Sequence, residues 1–134
     1  DIFRNNPSVM LCSSFQHPFY PYSGTEVQSD HIINVPLTAS TDGAGFRAAI
    51  EARVLPALEA FRPELIMISA GFDAHIEDPL ANLRLVEADY SWVSTEVRKI
   101  AERHASGRIV STLEGGYALS ALGRSVAAHL HALL

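Results

Sequence analysis

Residues 68–80 read ISAGFDAHIEDPL, and this stretch decides the fold prediction. It begins as an apolar run with the length of a buried strand, and it ends in a turn that carries Asp73, His75 and Asp78. In a parallel α/β sheet, the loop after the carboxyl end of a strand is the usual place for ligands and metals. The stretch therefore predicts a buried strand that leads into a functional loop.

A second segment of the same kind occurs at residues 109–117, which read IVSTLEGGY. Apolar runs predict four strands, at 9–15, 31–37, 65–70 and 108–113, and the last two lead into the two loops just described. Helical spacing predicts helices at 44–61, 87–104 and 118–134, the first of them kinked at Pro56. Strands that alternate with helices favour an α/β fold with a parallel sheet and flanking helices. Two polar loops at equivalent strand ends would form the rim of an active site.

Composition excludes several classes of protein. The chain has 134 residues, 48% of them hydrophobic and 19% charged, which fits one globular domain or part of one. The net charge of −5 and the scattered basic residues argue against nucleic-acid binding. No apolar run reaches the length of a membrane span, and the single cysteine fits a reducing, cytoplasmic environment. The first residue is Asp1 rather than Met, which suggests a processed chain or a fragment.

The loop after the strand at 65–70 offers three polar residues that could belong to a functional site. Asp78 directly precedes Pro79, and it reads either as a metal ligand or as a turn residue that caps nearby amides. Asp73 favours a structural hydrogen-bonding role, and His75 favours a partly exposed position at the rim. The residues alone leave the two interpretations of Asp78 open.

The second loop and an aromatic segment offer further candidates. Tyr117 follows two glycines, and its hydroxyl could face a reacting centre, or the residue could be the first core position of the last helix. Phe19 and Tyr20 could line an apolar channel or form local core. Cys12 reads as a small buried hydrophobe. The glycine pair is no dinucleotide fingerprint, so a nucleotide-binding domain lacks support.

Taken together, these motifs resemble the zinc-dependent histone deacetylase family. The similarity is greatest to its class II-like branch, which includes bacterial deacetylase-like and acetylpolyamine amidohydrolase-like proteins. The supporting motifs are SAGFDAH at 69–75, DPL at 78–80 and LEGGY at 113–117, with DIF at 1–3, HPFYP at 17–21, NVPL at 34–37 and NLRL at 82–85. The resemblance implies an arginase-like α/β fold, of which the whole chain, residues 1–134, forms the incomplete C-terminal part.

The resemblance also implies roles for individual residues. In the family, zinc is held by two carboxylates and one histidine, and the motif match makes Asp78 one of these ligands. Tyr117 matches the hydroxyl that hydrogen-bonds the substrate carbonyl and then the oxyanion. The remaining matches are Gly115, Gly116, Tyr20 and Leu85 around the substrate tunnel, and potassium sites at Ser13 and Ser14 and at the carbonyls of Phe3, Asn6 and Val9.

The implied reaction is deacetylation of acetyl-lysine or of acetylated amines. Zinc polarises the amide carbonyl and activates water, and a histidine acts as the base. The family places its His-His pair and its Asp-x-His ligands upstream of the segment that matches DIF, so we expect this chain to be inactive in isolation. The alternative is a non-catalytic binding or assembly module. A sheet cut in this way exposes edges and apolar faces, which predicts a homo-oligomer.

Overall fold

Two short parallel sheets carry the fold in the computed structural model, which describes residues 2–26 and 29–134. Strand β1 (Leu11–Gln16) pairs with β2 (Ile32–Leu37), and β3 (Ile66–Ala70) pairs with β4 (Ile109–Leu113). Within the described ranges the two pairs do not hydrogen-bond into one sheet. The predicted parallel α/β architecture is therefore confirmed, with its four strands divided into two separate pairs. Asp1 of the DIF motif lies outside the described residues.

The predicted helix around Pro56 is divided into three pieces. These are α1 (Gly43–Ala49), a π-helical segment (Ile50–Val54) and α2 (Leu55–Phe61). Pro56 has no backbone N–H and cannot donate to the carbonyl four residues earlier, so regular α-helical bonding cannot continue through it. A π-helical turn accommodates this break, which explains why the interruption comes where the sequence predicts a kink.

Two long helices pack against one face of the β3–β4 pair. They are α3 (Glu87–His104) and α4 (Leu119–Leu133), and both agree closely with the sequence prediction. Between them, His129 is 6% exposed and lies 2.7 Å (Nδ1) from Ser94 Oγ and 2.9 Å (Nε2) from Ser111 Oγ. These contacts join α3, α4 and β4, because each of the three residues belongs to a different element.

The larger hydrophobic core lies between β2, α1 and the loop after β3. Its buried members are Val35, Leu37, Phe46, Ile50, Val54, Phe72, Leu83, Leu85 and Tyr90. Three of these residues come from the loop between β3 and α3, so that loop is anchored at several points by core packing. Among the described residues, no helix is both long and apolar enough to cross a bilayer.

Candidate active-site loops

Two loops lie side by side at the carboxyl ends of β3 and β4, as the parallel pairing requires. The backbone ladder continues past the strands: the Glu114 amide donates to the Ala70 carbonyl at 3.0 Å, and the Phe72 amide donates to the Gly115 carbonyl at 2.8 Å. Tyr90 on α3 then donates its hydroxyl to the Phe72 carbonyl at 3.1 Å. The start of each loop is therefore fixed by hydrogen bonds to its neighbours.

Asp78 joins the two loops through its carboxylate. The side chain is 7% exposed, and its Oδ2 atom accepts hydrogen bonds from the amides of Tyr117 at 2.8 Å and Ala118 at 3.3 Å. Its Oδ1 atom accepts a third from the Leu80 amide at 2.9 Å. Asp78 thus caps backbone amides, and it does so across two loops. A carboxylate offers about four lone-pair sites, so a role as metal ligand stays compatible with these bonds.

Asp73 lies directly beneath the second loop. A methyl group on Gly115 would come within 2.8 Å of the Asp73 carboxyl carbon, so a side chain at position 115 would have to displace this carboxylate. Burial raises the pKa of Asp73, and the nearby negative charge of Asp78 raises it further. Asp73 therefore holds its proton more readily than an ordinary aspartate.

His75 contradicts the expectation of a partly exposed rim residue. The side chain is 2% exposed, and its ring stacks on Tyr90 with centroids 6.5 Å apart. Its Nδ1 atom accepts from the Glu77 amide at 3.1 Å, and its Nε2 atom lies 3.6 Å from a Glu87 carboxylate oxygen. The sequence prediction is wrong because the loop turns back onto α3, whose aromatic side chain covers the imidazole.

Asp73 and His75 also have the Asp-x-His spacing found in metal ligands. Within residues 2–26 and 29–134, however, no group of three or more His, Cys, Asp or Glu side chains could hold a metal ion. His75 is directed into contacts with Tyr90 and Glu87 instead. The described residues therefore supply Asp78 as a single candidate ligand and not a catalytic zinc site, which needs three protein ligands.

Tyr117 lies at the rim and not in the core. Its side chain is 54% exposed immediately before α4, so the alternative of a first core residue is wrong. The preceding Gly116 has φ +140°, and a methyl group there would come within 2.7 Å of the Leu122 side chain. Both the backbone conformation and the close packing explain why glycine precedes the tyrosine.

Sequence reasoning missed Arg124 as part of the site. Its guanidinium donates to Glu77 at 2.6 Å and to Glu87 at 2.5 Å, so it links α4 to the Asp78 loop and to the start of α3. The hydrogen bond from Arg124 lowers the pKa of Glu87 to about 2. No pattern around residue 124 indicates this role, because the three charged residues meet only in the folded chain.

Tyr20 and Leu85 take no part in the contact between Asp78 and the second loop. Tyr20 is 80% exposed, so it does not form local core, whereas Leu85 is 3% exposed within the larger core. Burial raises the pKa of Cys12 to about 11, in keeping with a small, partly buried hydrophobe.

The residues matched to potassium sites lie in β1 and in the segment before it. They are Ser13, half-buried, and Ser14, exposed, in β1, together with Phe3, Asn6 and Val9. The carbonyls of Phe3 and Asn6 accept backbone hydrogen bonds at 3.0 and 3.1 Å.

Of the predicted site residues, the structure brings together Asp78, Gly115, Gly116 and Tyr117 in the two loops.

Comparison with known sequences identifies the family pattern over the whole chain. The profile of the histone deacetylase domain matches residues 1–133. "Histone deacetylase 14, chloroplastic" of Arabidopsis thaliana is 36% identical over 142 residues, which cover 100% of this chain and 33% of that protein. The "Histone deacetylase-like amidohydrolase" of Pseudomonas aeruginosa is 40% identical over 123 residues, which cover 87% of this chain and 32% of that protein. The chain thus spans about a third of the length of these relatives.

Comparison with solved structures supports the same family. The crystal structure of the HDA15 HD domain superposes on this chain with a TM-score of 0.90 and 33% sequence identity. The superposed region covers 98% of this chain and 39% of that chain. The structure of the histone deacetylase Clr3 gives a TM-score of 0.87 at 25% identity, and covers 98% of this chain and 23% of that chain. The two parallel strand pairs and their helices therefore have the arrangement of part of a larger catalytic domain.

Proposed function

Because the chain belongs to the histone deacetylase family, and covers the C-terminal part of its domain, we propose that it contributes to a zinc-dependent amidohydrolase. The proposed reaction is removal of acetyl groups from acetyl-lysine or from acetylated amines. One observation carries the proposal: the buried carboxylate of Asp78 accepts a hydrogen bond from the amide of Tyr117 at 2.8 Å. The two residues that the motif match assigns to metal and to substrate are thus held in direct contact.

In this proposal, Asp78 contributes one zinc ligand in the complete domain. A catalytic zinc site takes three protein ligands and leaves a further position open for water or substrate. Since the described residues hold no group of three candidate ligands, the other two would come from sequence beyond this chain. No catalytic step follows from Asp78 alone, and we propose that the isolated chain is inactive.

Tyr117 would act on the substrate carbonyl. Its side chain is exposed at the rim, and its backbone is fixed by Asp78 on one side and by Gly116 on the other. In the complete domain, the Tyr117 hydroxyl would donate a hydrogen bond to the carbonyl oxygen and then to the oxyanion of the tetrahedral intermediate. One such donor is typically worth about 3–4 kcal/mol of transition-state stabilisation.

The substrate would reach this loop along a tunnel. The proposed tunnel positions are Gly115, Gly116, Tyr20 and Leu85, with potassium ions near Ser13 and Ser14 and near the carbonyls of Phe3, Asn6 and Val9 as structural cofactors. The net charge of −5 supports a substrate other than nucleic acid. We further propose a cytoplasmic location without membrane attachment, from the single cysteine and the lack of a long apolar run.

A second function is a non-catalytic binding or assembly module that keeps the deacetylase fold. The contact between Asp78 and Tyr117 favours the enzyme over this alternative. We also propose that the isolated chain self-associates through sheet surface that it leaves uncovered.

Zinc content distinguishes the two functions. Metal analysis after dialysis against zinc would compare the isolated chain with a polypeptide that carries it together with the rest of the deacetylase domain. The enzyme proposal expects one zinc per molecule in the longer polypeptide, lost on Asp78→Asn, and no stoichiometric zinc in the isolated chain. A longer polypeptide without zinc would favour the non-catalytic module.

A further inference from the structure

The guanidinium of Arg124 binds a different acceptor through each of its three nitrogens. Its Nε atom donates to Glu87 Oε1 at 2.5 Å, its Nη1 atom to Ser120 Oγ at 2.8 Å, and its Nη2 atom to Glu77 Oε1 at 2.6 Å. The acceptors belong to the start of α3, to α4 itself and to the loop after β3. Because the donors of a guanidinium lie in one rigid plane, these bonds fix the three segments relative to one another.

Glu77 is held a second time, through its backbone. Its amide donates to His75 Nδ1 at 3.1 Å, so the proton of the neutral imidazole lies on Nε2. The Nε2 atom is buried, has no hydrogen-bond partner among the described residues and faces Glu87 Oε1 at 3.6 Å. The same Oε1 atom accepts from Arg124. His75, Glu77, Arg124 and Glu87 therefore form a closed set of contacts, the Arg124 network.

The Arg124 network lies beside the contact between Asp78 and the second loop. Glu77 directly precedes Asp78, whose carboxylate accepts from the amides of Tyr117 and Ala118 at the start of α4. Arg124 lies further along the same helix and binds the Glu77 side chain. The loop is thus attached to α4 at two separate points, and two attachments restrict rotations of the loop that one attachment would allow.

We propose that Arg124 is a positioning residue that holds the Asp78 carboxylate in place relative to Tyr117. It acts through Glu77 and Glu87 and reaches neither the metal nor the substrate. The consequence for turnover rests on the proposed function, whereas the consequence for the loops requires neither zinc nor catalysis. Since ion pairs between partly exposed side chains add little to global stability, the effect of Arg124 should be local to the two loops.

Hydrogen exchange at the Tyr117 and Ala118 amides tests the positioning without metal. The measurement uses a zinc-free polypeptide that carries this chain together with the rest of the deacetylase domain. Arg124→Gln should speed exchange at both amides about three- to tenfold, as expected for the loss of two partly exposed ion pairs. Arg103→Gln is the matched control: it removes an ion pair with Glu59 near the opposite end of α3, and should leave both amides unchanged. Wild-type exchange in Arg124→Gln would overturn the proposal.

Two buried amides of α3 show whether the effect is local. Ile100 and Ala101 are 1% and 0% exposed, so their amides report opening of the packed core. Their exchange should stay at the wild-type rate in Arg124→Gln. A parallel acceleration at these two amides would show a global loss of stability and would overturn the positioning role.

Two further variants test how the Arg124 network acts. Glu77→Ala should also speed exchange at the two amides, and its combination with Arg124→Gln should exchange no faster than Arg124→Gln alone. Additive effects would show that the two residues act separately, against the proposal. Arg124→Lys keeps the charge, but one ammonium cannot replace three donors spread across a plane, so its exchange should approach that of Arg124→Gln. Wild-type exchange in Arg124→Lys would overturn positioning by the guanidinium geometry.

Turnover of an acetyl-lysine peptide by the zinc-loaded polypeptide tests the consequence for catalysis. Arg124→Gln should lower kcat about tenfold, the lower end of the range for residues that orient a metal ligand, while KM stays within about twofold. Arg103→Gln should leave both constants unchanged. Faster exchange without a fall in kcat would overturn the catalytic importance of Arg124. If the wild-type polypeptide itself showed no turnover, the proposed function would fail, and faster exchange in Arg124→Gln would still support the positioning of the loops.

Discussion

The Asp78 carboxylate and the Tyr117 backbone amide, 39 residues apart in sequence, form a hydrogen bond of 2.8 Å. The contact fixes the loop after β3 to the loop after β4, so the position of Tyr117 depends on Asp78. Because the same Oδ2 atom also accepts from Ala118 at 3.3 Å, the carboxylate holds the turn that begins α4. A change at Asp78 should therefore be detected in the second loop even without metal or substrate.

Removing the Asp78 carboxylate should loosen that turn. Asp78→Ala leaves three backbone amides without their acceptor, and each buried unpaired donor typically costs about 1–3 kcal/mol. We expect faster hydrogen exchange at the Tyr117 and Ala118 amides, together with a lower free energy of unfolding in urea. Asp78→Asn keeps one acceptor oxygen and should show a smaller effect. Unchanged exchange at Tyr117 in Asp78→Ala would show that the contact does not hold the loop.

The glycine before Tyr117 should tolerate no side chain. Gly116→Ala places a methyl group 2.7 Å from Leu122 at φ +140°, so we expect destabilisation of about 1–3 kcal/mol. Gly123→Ala is the control within α4, where a methyl group meets no atom within 4 Å. That substitution should stabilise the chain by up to about 1 kcal/mol, because glycine is a poor helix former. Equal effects of the two changes in thermal unfolding would contradict the packing described here.

Arg124 should control the ionisation of Glu87. Its guanidinium lowers the pKa of Glu87 to about 2, so Arg124→Gln should move the titration midpoint upward towards the ordinary value of 4.5. Carbon-detected NMR of the Glu87 carboxyl group measures this directly. Glu51→Gln, an exposed change on the π-helical segment, should leave the midpoint in place. A midpoint that stays near 2 in Arg124→Gln would mean that another group holds the carboxylate ionised.

His129 should make stability depend on pH. Burial lowers its pKa below the ordinary value of 6.5, so the unfolded chain takes up a proton more readily than the folded chain. This contribution of His129 to stability is fully present above about pH 6.5, and it is lost as the pH falls from there through the lower pKa of the folded chain. Ser94, Ser111 and Phe72 surround the ring, and none of them carries a compensating charge.

Urea unfolding at several pH values between 5 and 8 measures this dependence (a window of about 1.5 units on either side of the ordinary pKa of histidine). His129→Gln should flatten the decline, whereas His131→Gln, at an exposed position of the same helix, should leave it intact. The Glu87 carboxylate contributes to stability in a separate pH window. Because its pKa is lowered in the folded chain, this contribution is lost only below about pH 4.5. An identical decline in wild type and His129→Gln would exclude His129 as its source.

The sequence predicted the elements well because their signals are local. The apolar run at 65–70 and the helical spacing at 87–104 each depend on neighbours in the chain, and the structure places β3 at Ile66–Ala70 and α3 at Glu87–His104. Proline chemistry likewise placed the interruption near residue 56. The separation of the strands into two pairs was not predicted, because strand pairing depends on contacts between distant segments.

The sequence predicted only part of the candidate site, because some of its contacts also join distant segments. Motif matches brought forward Asp78 and Tyr117, and the structure places them in contact. They could not reveal that His75 is buried against Tyr90, because that contact depends on how the loop folds onto α3. Nor could they reveal Arg124, whose two carboxylate partners come from other elements. Side-chain roles that depend on tertiary contacts therefore required the structure.

The most direct test of the account is the initial rate of acetate release from an acetyl-lysine peptide in the presence of zinc. The measurement compares the isolated chain with a polypeptide that carries it together with the rest of the deacetylase domain, each with and without Tyr117→Phe. We predict that the isolated chain releases no more acetate than its Tyr117→Phe variant. The longer polypeptide should turn over, and Tyr117→Phe should lower its kcat by about 10²–10³-fold while its zinc content stays unchanged. Turnover by the isolated chain, or a longer polypeptide whose kcat is unaffected by Tyr117→Phe, would contradict the account.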